Sequence, residues 1–60
     1  MRITDKNIIL GNTYKTITGE LFKYINRDKR TKTNTFIRLK DDYEIKCHDI
    51  SIKSYNFKEN

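Results

Sequence analysis

Cys47, His48 and Asp49 stand in a row, and together they hold a nucleophile, a base and an orienting carboxylate. Catalysis needs such groups to converge in space. In an extended strand adjacent side chains leave opposite faces, so Cys47 and His48 are expected to diverge. Cys47 then reads as a small core residue. One cysteine and one histidine also fall short of a structural zinc set. Asp41, Asp42 and Glu44 form the only local carboxylate cluster. Paired carboxylates do acid–base work when burial splits their pKa values. These sit where a turn is expected, and aspartate is common in turns for backbone reasons. Gly11 and Gly19 are isolated, so no glycine-rich phosphate cradle is present. No catalytic residue, metal or cofactor is therefore assigned, and the chain reads as a non-enzyme.

A second group of residues suits recognition. Residues 26–34 read Asn-Arg-Asp-Lys-Arg-Thr-Lys-Thr-Asn, a polar, basic stretch expected to be a mobile loop. On one register, Leu21 and Ile25 point inward. Phe22 and Tyr24 then point outward, beside Phe36 and Arg38 of the next strand. Aromatics that stack on bases, flanked by cations that meet phosphates, are the working parts of single-strand binders. The candidate ligand set is Phe22, Tyr24 and Phe36 for stacking, Arg27, Lys29, Arg30 and Lys32 for phosphates, and Arg38 bridging the two. The same patch would serve a protein partner or a dimer interface. It dissolves into the core if the register slips by one residue.

The elements that must position these groups follow from composition. The chain has 60 residues, 35% hydrophobic and 35% charged, with a net charge of +5. That length suits one domain, residues 1–60. A domain of this size buries only about 60% of its unfolded surface. A lone cysteine excludes an internal disulfide, so self-association is one open route to stability. Alanine, valine, proline and glutamine are absent, while isoleucine, threonine, tyrosine and phenylalanine abound. These are strand formers. Excess positive charge favours anionic partners: nucleic acid, a nucleotide, or an acidic protein surface. No apolar run is long enough for a leader or a membrane span. Together with the unpaired cysteine this suggests the cytoplasm.

Alternation marks five strands, at residues 13–17, 20–25, 35–40, 43–47 and 50–55. Asp41-Asp42 reads as a two-residue turn. The expected face carries Ile37, Leu39, Tyr43, Ile45 and Cys47, with Phe36, Arg38, Lys40, Glu44, Lys46 and His48 opposite. Residues 7–10 read as a short strand or a plugging turn. Thr4-Asp5 alternatively caps a short N-terminal helical turn. Residues 56–60 are expected to fray unless Phe57 packs.

The segments at residues 19–25 (Gly-Glu-Leu-Phe-Lys-Tyr-Ile), 36–45 and 49–52 resemble small SH3-like barrels of the Sm and Tudor type, over residues 13–55. The resemblance implies an all-β barrel of about five short antiparallel strands that binds RNA, DNA or peptides. The chain departs from Sm proteins in lacking their glycine-rich strand signals. Its small size and Lys-, Asn-, Ile- and Tyr-rich usage are similar to small early proteins of bacteriophages. That likeness implies a second reading, in the host cytoplasm: a protein that inhibits or redirects a host protein, or sequesters a nucleotide signal.

Overall fold

Five strands form in the computed structural model, which describes residues 2–60. They are β1 (Thr13–Lys15), β2 (Leu21–Asp28), β3 (Thr33–Arg38), β4 (Tyr43–His48) and β5 (Lys58–Glu59), with a 3₁₀ segment, Asp49–Tyr55, before the last. The sheet order is β4-β3-β2-β1-β5, and every neighbouring pair is antiparallel. The all-β class and the antiparallel arrangement follow from the strand-forming composition. Among the described residues no helix is long and apolar enough to cross a membrane.

The N-terminal helical turn is present as a single turn. The Thr4 carbonyl accepts from the amides of Asn7 (3.2 Å) and Ile8 (3.1 Å). The Asn7 side chain accepts from the Thr4 amide at 2.7 Å, and the Lys6 amide donates to the Thr4 hydroxyl at 3.2 Å. These reciprocal bonds satisfy the free amides of a first turn. The turn lets Ile3 enter the core and Ile8 pack against it.

β2 takes the opposite register from the expected one. Phe22 pairs with Arg38 and Tyr24 with Phe36, and all three aromatics are buried. Leu21 is half-buried and Ile25 exposed. The physical reason is Lys23, which lies midway between Leu21 and Ile25. Turning that phase inward would bury an ammonium group without a partner. The aromatic phase has no such cost and removes more apolar area from water. The pairing then skips a residue, because Tyr24 faces Phe36 while Asn26 faces Thr35. Ile25 is thus the extra residue of a β-bulge, which reverses the inward phase beyond it. Arg27 consequently sits opposite Asn34, on the inner side.

The β2–β3 hairpin runs further than expected, to Asp28 opposite Thr33. Its loop is residues 29–32 rather than 26–34. Asp28 Oδ1 accepts from the Arg30 amide at 3.0 Å and the Thr31 amide at 3.4 Å, which shapes the loop locally. The β3–β4 loop is residues 39–42, closing on Arg38 opposite Tyr43, instead of the two-residue turn. Asp42 takes a left-handed conformation (φ 58°), and its amide reaches the Arg38 carbonyl at 2.8 Å. Antiparallel partners share a face. Phe36 therefore lies with Ile45, and Arg38 with Tyr43, while Ile37 faces outward with Glu44.

Residues 50–55, expected as a strand, are part of the 3₁₀ segment. Its threefold period explains why: Asp49 and Ile52 are buried and Tyr55 is half-buried, three residues apart on one side. The His48 imidazole caps the segment, accepting from the Ile50 amide at 3.3 Å. Asn56 (φ 54°) ends it in the left-handed conformation. That reversal drives Phe57 into the core, so the tail packs and adds β5 beside β1.

The core comprises Ile3, Tyr14, Phe22, Tyr24, Phe36, Ile52 and Phe57. Phe57 is its centre. Its ring lies 5.0 Å from Phe36, 5.2 Å from Tyr55, and 6.0 Å from both Tyr14 and Phe22, centroid to centroid.

Candidate functional site

The eight candidate ligand residues separate into three groups. Phe22, Tyr24 and Phe36 are 5%, 1% and 0% exposed. Rings so enclosed cannot stack on a base, and the aromatic half of the expected patch is corrected to core.

Arg27 and Arg38 are both engaged in ion pairs. Arg27 donates two parallel hydrogen bonds to Asp49, at 2.8 and 2.7 Å, a geometry that suits guanidinium and carboxylate planes. It also reaches Asn34 Oδ1 at 3.3 Å. The buried Asn34 amide donates to Asp49 Oδ1 at 2.7 Å and accepts from the Tyr24 hydroxyl. The Asn34 and Arg27 bonds hold the Asp49 carboxyl below the usual carboxylate range, and burial pushes the Tyr24 phenol up. Among the described residues, no buried side-chain polar atom lacks a partner. Arg27 is therefore part of a closed network that ties β2, β3 and the 3₁₀ segment together.

Arg38 sits at the other end of the sheet and bridges nothing toward the basic loop. It donates to Asp41 at 2.9 and 2.7 Å and to Glu20 at 3.3 Å. Its guanidinium carbon lies 5.1 Å from the Tyr43 ring centroid. Arg38 brings the Asp41 carboxyl down to about 2. An open groove of about 390 Å³ runs between residues 18–21 and 38–40. Its guanidinium is already neutralised, so it offers an anion little.

Lys29, Arg30 and Lys32 remain. All three are exposed on the β2–β3 loop, and among the described residues they make no ion pair. The carboxylate beside them, Asp28, is turned onto the loop amides. The Lys32 carbonyl accepts from the Asp49 amide at 3.0 Å, which joins the loop to the Arg27–Asp49 network. His48, opposite Thr33, stands at the same end. Lys6 and Lys53 line a groove of about 260 Å³ past Asp49, together with Asp5. Glu20, Asp41 and Asp42 gather at the opposite end. The hairpin is thus basic at its loop end, while at its other end Arg38 and Lys40 offset two of the three carboxylates.

The Cys47-His48-Asp49 row spreads apart. Cys47 is half-buried against the core, where burial pushes its thiol up, away from thiolate character. His48 is exposed and capping, and Asp49 belongs to Arg27 and Asn34. Among the described residues no three His, Cys, Asp or Glu side chains group to hold a metal. What sequence reasoning missed was Asn34 and Asp49. The retrievable signal was a lone aspartate at a 3₁₀ start with arginine available, but their partnership spans 22 residues.

Comparison with known proteins finds no match among family models, curated proteins or solved structures.

Proposed function

We propose that this chain is a non-catalytic binding module for phosphate-bearing polyanions, with nucleic acid first among them. The observation that carries this reading is the β2–β3 loop, where Lys29, Arg30 and Lys32 project without an ion pair among the described residues, while the arginines on either side of them in sequence are neutralised. Projecting cations without a walled cradle suit the regularly spaced charges of a backbone better than one small nucleotide. With the aromatics enclosed, affinity comes from charge rather than base stacking. The strand order, with a 3₁₀ segment before a last strand that returns to β1, favours the SH3-like barrel reading of the single domain. We take the chain to act in the cytoplasm.

The test is fluorescence anisotropy with labelled mixed-sequence RNA and DNA single strands at several salt concentrations. Three phosphate contacts give a slope of log affinity on log salt of about −2. Arg30→Ala is expected to weaken binding and make that slope shallower by about one. The triple alanine variant at residues 29, 30 and 32 should remove measurable binding. Arg38→Ala, at the acidic end, should leave the slope unchanged. Absence of binding by the parent at low salt would overturn the reading.

A further inference from the structure

We infer that the exposed edge of β4 is a self-pairing surface, through which two copies of the chain join antiparallel into one continuous sheet. Among the described residues β4 ends the sheet and pairs only with β3. It runs six residues without a register shift, whereas the opposite edge, β5, has two. An edge strand presents unpaired amides and carbonyls, and proteins commonly blunt it with proline, a bulge, a covering element or charged side chains, of which β4 carries the opposite pair Glu44 and Lys46. β4 has no proline and no bulge. Its inward-facing residues are incompletely covered, since Ile45 and Cys47 are half-buried and Tyr43 is 58% exposed.

The side chains favour a second copy as the occupant. Glu44 and Lys46 stand on the outer face on either side of Ile45, with Lys46 Nζ 3.7 Å from Glu44 Oε1. A two-fold axis through Ile45 sets Ile45 against its own copy. Glu44 then faces Lys46 of the second copy, and Lys46 faces its Glu44. Tyr43 meets Cys47 of the second copy on the inner side. Opposite charges directly across a strand pair attract, and like charges there repel. Moving the axis to Glu44 or to Lys46 would set that residue against its own like charge. The triplet Glu44-Ile45-Lys46 thus encodes both the self-complementarity of a closed dimer and its register. A domain of this size, with little interior of its own, gains from the added burial.

Sedimentation equilibrium on the full chain across micromolar to millimolar concentration tests this. The parent is expected to dimerise. Lys46→Glu sets two carboxylate pairs across the axis and should raise the dissociation constant by at least about tenfold. Glu44→Lys should do the same with two ammonium pairs. The double exchange Glu44→Lys/Lys46→Glu restores opposite charges and should return the constant to within about threefold of the parent. Both positions are exposed, and a thermal melt of each variant checks that it folds. Hydrogen exchange at alternate β4 amides should slow with concentration in the parent and in the double exchange only. A parent that stays monomeric at millimolar concentration overturns the inference. So does a dimer that the single exchanges leave intact, or one that the double exchange fails to restore.

Discussion

Phe57→Ala is expected to abolish most of the folded population at 37 °C. The ring is 1% exposed and fills the space between Tyr14, Phe22, Phe36 and Tyr55. Emptying a buried phenylalanine site costs about 3–5 kcal/mol, because the surrounding groups close only partly on the cavity. A chain of this length holds about 3–9 kcal/mol in total. The loss is amplified by position. Phe57 is what turns the chain back after the 3₁₀ segment, so without it β5 leaves β1 and the stacked Tyr55 loses its partner. A thermal melt followed by near-ultraviolet circular dichroism should show a midpoint about 15–30 °C lower. Phe57→Leu, which refills much of the space, should lie between the variant and the parent. A midpoint for Phe57→Ala within about 3 °C of the parent would show the tail to be peripheral.

That weight on Phe57 was only half legible beforehand. Residue types identified an all-β chain, because β-branched and aromatic residues fill the very positions where helices would want alanine. They also marked the first turn through Thr4-Asp5, although its closing acceptor is Asn7. The faces were harder. β2 carries apolar side chains in both phases, and a period of two cannot choose between them. Lys23 was the discriminating residue, since its charge disqualifies the phase it occupies. The bulge at Ile25 has no local signature, yet it decides that Arg27 turns inward. Residues 50–55 satisfy a period of two through Ile50 and Ile52 and a period of three through Asp49, Ile52 and Tyr55. Only packing separates the two. Counting cations from the sequence treats Arg27 and Arg38 as free. Their carboxylate partners come from other elements, and the site shrinks accordingly to the loop that has none.

Asn34→Ala tests the network that makes this separation. Asn34 is fully buried and serves as a hub: it accepts from the Tyr24 hydroxyl and from Arg27, and donates to Asp49 and, at 3.4 Å, to the Cys47 carbonyl. Removing it takes the acceptor from the enclosed Tyr24 O–H and leaves Asp49 with Arg27 as its side-chain donor. An unsatisfied buried polar group costs about 1–3 kcal/mol, and two affected groups bring the loss to about 3 kcal/mol. That corresponds to a fall in melting temperature of about 12–24 °C at pH 7. The slope of unfolding free energy against pH on the acid limb adds a readout that a simple cavity would not move. The Asp49 carboxyl is held below its ordinary range first by Asn34 and then by Arg27. Its folded-state pKa is therefore lower than the unfolded value of about 3.9. The stability this contributes is fully present above the unfolded value and is lost as pH falls through the folded one. Without Asn34 the folded value moves back toward the unfolded one, so the contribution shrinks and its loss is complete at a higher pH. The slope of stability against pH on the acid limb should become shallower. If the proposed nucleic-acid contact lies with Lys29, Arg30 and Lys32 alone, affinity and its salt slope should match the parent under conditions where the variant still folds, because none of the three loses its place on the loop. A lowered melting temperature with an unchanged slope of unfolding free energy against pH would mean that Asn34 acts by volume alone, and that Arg27 by itself sets the charge of Asp49.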